Sequence, residues 1–315
     1  LKPPDQITSE ILHLISSIAE KIGSINARHL YKAPAELRKS NRIKTIQSSL
    51  EIEGNTLSEE QITAILENKR VIAPEKDILE VKNAIEVYEN LHYFEFDKLT
   101  SLCKAHQLLM KGLIADAGKI RSKSVGIVKG SEVAHLAPPG NLVQSLLNDL
   151  FSYLKNDEDL LLIKSCVFHY EFEFIHPFMD GNGRMGRLWQ TLILKEYSPV
   201  FGFLPIESII KNKQAEYYNA LNKSGHSTPF ITFMLQVIDQ SLNELIKSQR
   251  VTLSGNDRMN IYKDKIGSQS FTRQNYMRSF PDISTATASR DLKDAVDKAL
   301  LIKQGDKNKT VYQFQ

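Results

Sequence analysis

The chain has 315 residues, with 40 lysines and arginines against 37 aspartates and glutamates, a formal net charge of +3. That length accommodates two or three domains around a sizeable core, and the near-neutral balance offers no bulk argument for a nucleic-acid or membrane-surface partner. No run of eighteen apolar residues is present to cross a bilayer. Cys103 and Cys166 lie far apart in apolar helical patterns without metal-ligand spacing, which reads as two inert buried thiols in a reducing compartment. The opening Leu-Lys-Pro-Pro-Asp-Gln does not resemble a signal peptide, and a first residue of leucine suggests a trimmed N-terminus; the expected location is cytoplasmic.

In chain order, residues 8–24 place Ile11, Leu14, Ile15, Ile18 and Ile22 at helical spacing, with Thr8 as N-cap. A second helix follows Pro34 through Leu37, Ile43, Ile46 and Leu50 and stops at Gly54. Ser58-Glu59-Glu60-Gln61 reads as a capping box opening a third helix. Further helices are expected over about 77–91 and 98–114. The period then changes: Gly118 to Leu136 reads as two short strands around Lys129-Gly130-Ser131-Glu132, a hairpin ended by Pro138-Pro139-Gly140. A helix over about 142–154 comes next. Residues 160–174 are apolar nearly all round, as befits a central buried helix, with His169, Glu171 and Glu173 toward its end. Those two carboxylates are expected to anchor the following loop by hydrogen bonds, in preference to a metal site shared by His169 and His176.

The loop itself is His176-Pro177-Phe178-Met179-Asp180-Gly181-Asn182-Gly183-Arg184-Met185-Gly186-Arg187. It joins two apolar runs, and a helix is expected to start near Asn182 or Gly183. Free N–H groups at a helix N-terminus, flanked by glycines and arginines, form a phosphate cradle. His176 at its rim is a general-base candidate, and Asp180 offers a hard oxygen to a divalent cation.

This stretch resembles the signature of the Fic family, HPFx(D/E)GNGRxGR, at every specified position. The resemblance implies a mainly α fold: a Fic-type helical core with a β-hairpin flap, an N-terminal helical region and a C-terminal winged helix. It implies AMP transfer from ATP to a hydroxyl of a target protein, which could be the chain itself. His176 would take the hydroxyl proton and Asp180 would hold Mg²⁺. Gly181, Asn182, Gly183, Arg184, Met185, Gly186 and Arg187 would bind the nucleotide, with Arg184 on the β-phosphate and Arg187 on the γ-phosphate. Phe178 would pin the loop. A Doc-type kinase would carry lysine in place of Gly183, so nucleotide transfer is favoured. Ser49-Leu50-Glu51-Ile52-Glu53-Gly54 fits the family's inhibitory pattern (S/T)xxxE(G/N). Ser49, Glu53 and Gly54 are therefore expected to regulate the site by pairing Glu53 with Arg187. The flap residues Val128, Lys129, Gly130 and Ser131 are expected to dock an extended target segment by strand addition. Tyr217 and Tyr218 fall where relatives contact adenosine, with Tyr218 the chosen candidate and core packing the competing reading.

After the loop, helices are expected over about 187–194, 211–221 and 229–245, then a linker over 250–256. Phe271–Met277, Ser284–Lys298 and a hairpin of Leu301–Asp306 with Thr310–Tyr312 resemble a winged helix. The expected domains are thus residues 1–95, 96–249 and 255–315. DNA contact would fall to Arg290, Lys293, Lys307 and Lys309, but Asp291, Asp294 and Asp297 along the same helix oppose it. Protein docking or dimerisation is favoured there, and a homo-oligomer stays open. Two alternatives remain: a de-AMPylating enzyme of the same fold, and a winged-helix DNA-binding regulator with a nucleotide-sensing core.

Overall fold

In a computed structural model, the described residues are 5–27, 34–129, 132–222, 226–248, 253–281, 283–305 and 310–315. They divide into two compact units, Leu1–Ile246 and Lys247–Gln315.

The first unit is helical apart from one hairpin. Helix α1 (Ser9–Ala27) begins where the Thr8 hydroxyl accepts from the Ile11 amide at 3.2 Å. α2 (Ala35–Ile52) runs to Glu53, and Gly54 ends it in the left-handed region at φ 92°. α3 (Glu59–Leu66) opens on the expected capping box of Ser58 and Gln61. α4 (Glu75–Glu89) and α5 (Leu99–Leu109) precede the hairpin of β1 (Gly126–Lys129) and β2 (Glu132–Leu136), which pair antiparallel with an irregularity between Ile127 and Val128. Gly130 and Ser131, expected at its turn, lie outside the described residues. α6 (Gly140–Asn156) starts at a glycine for which there is no substitute, because a Cβ there would sit 2.0 Å from the Ser122 carbonyl oxygen.

α7 (Leu161–Ile175) and α8 (Asn182–Tyr197) form the centre of this unit. Eleven of the fifteen residues of α7 are buried, so it is enclosed over most of its surface, as its largely apolar character demands. Phe168, Phe172, Trp189 and Leu194 are among the core residues these two helices supply. Trp189 satisfies its indole N–H on the Phe96 carbonyl at 2.9 Å. α9 (Ile206–Asn212), α10 (Gln214–Asn222) and α11 (Thr228–Ser248) complete the unit; the helix expected over 211–221 is in fact two, broken at Lys213. The C-terminal end of α2 is pinned on α9 and α10. Lys211 pairs with Glu51 at 3.0 Å, the Ser48 and Ser208 hydroxyls meet at 3.1 Å, and the Gln214 amide donates to the Ile52 carbonyl at 3.3 Å.

The second unit has its own core of Met259, Tyr262, Phe271, Tyr276, Leu292, Leu301 and Phe314, among others. α12 (Gly255–Ile266) begins inside the stretch read as a linker and continues through residues to which no element was assigned; its start is a capping box of Ser254 and Asp257. α13 (Arg273–Ser279) and α14 (Thr285–Asp297) follow, each begun by a hydroxyl cap, Thr272 and Ser284. β3 (Leu301–Gln304) and β4 (Val311–Phe314) pair antiparallel, and Phe271 bridges to Tyr312 on the edge of β4. Among the described residues no helix is long and apolar enough to cross a membrane.

Candidate active site

His176 ends α7 in the left-handed region, at φ 50° and ψ 60°. An L-residue gives up roughly 1–2 kcal/mol to stand there, so neighbouring contacts must hold it. Its amide donates to the Phe172 carbonyl at 2.9 Å, and its carbonyl accepts from Arg121 Nε at 2.6 Å. Arg121 is buried and gives its other donors to the carbonyls of Ile175, Pro138 and Lys123, while its amide reaches the Pro177 carbonyl at 2.9 Å. One guanidinium therefore joins the His176–Arg187 loop to the segments flanking the hairpin, a role the sequence reading did not assign.

Phe178 is fully buried, as expected of a pin, and stacks on His106 at 3.6 Å between ring centroids. His106 was read only as part of a helix. Its Nδ1 accepts from the Gly118 amide at 2.8 Å, so Nε2 carries the proton and donates to the Asp180 carbonyl at 3.0 Å. Burial pushes its pKa down to about 4, and it stays neutral in this structural role. The Asn182 side chain is buried and turned into the loop, accepting from the Phe178 amide and donating to the Phe178 carbonyl, both at 2.9 Å. Its amide group shapes the loop.

Gly181 caps α8 at φ 81°, and a Cβ there would lie 2.7 Å from the Met110 sulfur. The Met185 amide donates to the Gly181 carbonyl at 3.0 Å, which closes the first turn. The amides of Asn182, Gly183 and Arg184 thus have no carbonyl within the helix and sit at the positive end of its dipole. The intrahelical hydrogen bonds begin at the next residue. Met185 is a fully buried core residue, and its amide and that of Gly186 belong to the helical ladder. Gly186 instead lets α7 come close, since a Cβ would meet Glu173 Oε1 at 2.7 Å and His169 at 2.9 Å.

Asp180 is half exposed, and its Oδ1 accepts from the Gly181 amide at 2.6 Å and from Arg184 Nη2 at 3.1 Å. Arg184 is buried and also pairs with Glu80 at 3.0 Å; the second oxygen of Glu80 accepts from Asn55 at 2.8 Å. Glu80 is another participant that sequence reasoning missed. Among the described residues, no group of three or more histidines, cysteines or acids is placed to enclose a metal ion.

Arg187, on the second turn of α8, is 1% exposed. Its Nε donates to Ser49 Oγ at 3.1 Å, and Nη2 donates to the Ser49 carbonyl at 2.9 Å and to Glu53 Oε1 at 2.7 Å. The spacing of Ser49 and Glu53 puts both on one face of α2 over this guanidinium. Nη1 finds no acceptor among the described residues although it is buried. Glu53 Oε1 reaches so far into the mouth of α8 that a Cβ on Gly183 would lie 2.5 Å from it. Gly183 therefore leaves the space that the Glu53 carboxylate fills.

Around this pair lie His169, Glu173, Tyr217 and Tyr218. His169 is fully buried between Gln190 (2.6 Å) and the Tyr217 hydroxyl (3.0 Å), and burial takes its pKa to about 3, so the idea that it shares a metal with His176 finds no support. Glu173 does not anchor the loop by hydrogen bonds as expected of it. Its Oε1 is buried without a hydrogen-bond donor among the described residues, and burial raises its pKa to about 8, against the pull of Arg187. Tyr217 is a core residue packed with Phe230 and Phe233, whereas Tyr218 is half-buried beside it, its pKa raised by burial and by the nearby Glu53.

The model of the Fic/DOC family matches residues 96–194. The chain is 31% identical over 231 residues to protein adenylyltransferase fic-1 of Caenorhabditis briggsae, covering 67% of this chain and 42% of that protein. It is 28% identical over 270 residues to protein adenylyltransferase Fic of Nematostella vectensis, covering 80% and 60%. The chain thus spans about half the length of these curated relatives. A solved Fic family protein from Desulfovibrio desulfuricans superposes with a TM-score of 0.77 at 36% identity, over 100% of this chain and 98% of that one. The Fic-1 structure from C. elegans shares the fold at a TM-score of 0.61 and 22% identity, over 77% and 76% of the two chains. With a full-length match of that quality and the signature loop intact between α7 and α8, the chain belongs to the Fic family.

Proposed function

We propose that this chain is an auto-inhibited protein adenylyltransferase. The observation that carries the reading is Arg187. It is a buried guanidinium beside the free amides of α8, with Nη1 unspent and its other donors held by Ser49 and Glu53. Such a group suits a phosphate, and a carboxylate in its place is a competitor for that seat. The names of the curated relatives agree with this chemistry.

In the proposed reaction the oxygen of a target hydroxyl attacks the α-phosphorus of ATP. The new O–P bond forms as the bond to pyrophosphate breaks, and the hydroxyl proton passes to His176. Imidazole suits this near neutral pH. The amides of Asn182, Gly183 and Arg184 receive phosphate oxygens, Arg187 holds the γ-phosphate, and Tyr218 flanks the nucleoside. Arg184, already paired with Glu80, supplies the β-phosphate with the remainder of its charge. The half-exposed Asp180 carboxylate fits Mg²⁺, which takes one or two carboxylates and leaves its other positions to phosphate and water. When bound, the cation would neutralise charge on the α- and β-phosphates. The β1–β2 hairpin is read as the flap that receives an extended target segment, and the unpaired Cys103 and Cys166 support a reducing, cytoplasmic setting. The test is transfer of labelled AMP to protein, the chain itself included, by the Glu53→Ala protein with and without His176→Ala. Loss of labelling on removal of the imidazole is expected. Retained labelling would overturn the assignment.

A further inference from the structure

The near-zero charge of the whole chain conceals a segregation. Residues 247–315 hold thirteen lysines and arginines against seven aspartates and no glutamate, net +6; the remaining 27 basic and 30 acidic residues give the first unit −3. A 69-residue unit of that charge is an electrostatic footprint for a polyanion.

The structure also removes part of the objection raised by the aspartates of α14. Asp291 does not face outward. It is buried, held by Arg258 through Nε at 2.6 Å and Nη2 at 2.9 Å, and it accepts from the Tyr276 hydroxyl at 3.0 Å. That acid is neutralised inside the unit, where Ala288, Leu292 and Ala295 share its side of the helix. The opposite side carries Ala286, Arg290, Lys293 and Asp297 at helical spacing, all exposed. Its N-terminal half is small and basic, and Arg273 of α13 joins it by donating to Ser289 at 3.0 Å. The exposed Asp294 and Asp297 stand at the C-terminal end. In helix-turn-helix docking the N-terminal residues of the second helix enter the major groove, so those two acids lie at the end withdrawn from it. Lys307 and Lys309 lie outside the described residues and enter this argument only through the net charge of the unit.

We propose that the second unit binds duplex DNA, with the Ala286–Arg290–Lys293 face of α14 in the major groove and Arg273 on the adjoining backbone. The proposal stands apart from the chemistry at His176. The test is fluorescence anisotropy of the full chain with a labelled random-sequence duplex of about 20 bp, titrated from about 50 to about 200 mM salt. Neutralising about four phosphates gives a logarithmic salt slope near −3.6, and affinity falls about a hundredfold over that range. Arg290→Ala with Lys293→Ala should weaken binding about tenfold or more and flatten the slope by about 1 for each phosphate left without its cation. Lys82→Ala, on the exposed surface of the first unit, should leave binding unchanged, and both variants should label protein as their parent does. Absence of binding at the lowest salt, or binding indifferent to the Arg290 and Lys293 substitutions, would overturn the proposal and leave this face to a protein partner.

Discussion

Replacing Glu53 with alanine should release the enzyme. In the clamp, Arg187 has three acceptors from α2: Ser49 Oγ, the Ser49 carbonyl and Glu53 Oε1. Only the last is a carboxylate oxygen, and at 2.7 Å it is the shortest. A hydrogen bond to a charged group contributes about 1.5–3 kcal/mol, and each 1.4 kcal/mol is a factor of ten, so its loss should raise the competent fraction roughly 10- to 150-fold. The carboxylate is 30% exposed, and solvent screening favours the lower part of that range. Alanine is compatible with the backbone at φ −93° and ψ 6°, so α2 should keep its place against α9 and α10. The assay is the initial rate of labelled AMP incorporation at saturating ATP and Mg²⁺, with a melting curve to show that the fold is intact. A rate within about threefold of wild type in a stable protein would refute the reasoning from the charge-assisted bond.

Other expectations follow from neighbouring groups. Glu173 has its pKa raised from 4.5 to about 8, so its contribution to stability is full below the unfolded value and is lost as pH rises toward the folded one. Wild type should therefore lose stability relative to Glu173→Gln across that window, by an amount on the order of several kcal/mol at about 1.4 kcal/mol per pH unit. Parallel pH profiles in chemical denaturation would contradict the assigned burial. Arg121→Lys keeps the charge but loses the fork that serves four carbonyls; a stability loss of about 2 kcal/mol or more and at least tenfold slower labelling in the Glu53→Ala background are expected. An unaltered rate would show that Arg121 does not position His176. Gly54→Ala places an L-residue at φ 92° with open space around it, so its penalty, about 1–2 kcal/mol, is purely conformational and should loosen the clamp. Thermal melts and labelling rates together check this, and a protein as stable and as silent as wild type would count against it.

Much of this site was legible because its parts are contiguous. The loop from His176 to Arg187 announces a helix N-terminus with glycines and cations, and α8 begins at Asn182 as expected. The Ser49–Glu53 motif is equally local, being one helical turn. The supporting residues are not. Arg121, His106 and Glu80 are far from the loop in sequence, and only the fold brings them to it. Their signal was present but weak: a charged or imidazole side chain at a position that periodicity assigns to the interior, as with His106 between Ala105 and Leu109. α12 was missed because Gly255 and Asn256 after Ser254 imitate a linker, while the helix has a largely polar surface and buries Met259, Ile261 and Tyr262. The capping box of Ser254 and Asp257 was the sign of it. Asp291 misled for a related reason, since a sequence cannot show that an acid on an exposed-looking helix is turned inward onto an arginine 33 residues away.

A double-mutant cycle of Glu53 and Arg187 tests the central claim most directly. Labelling rates are measured for wild type, Glu53→Ala, Arg187→Ala and the double variant. If Glu53 silences the enzyme through Arg187, its removal should accelerate labelling only while Arg187 is present, and the double variant should label as slowly as Arg187→Ala. An equal acceleration in the Arg187→Ala background would contradict the account.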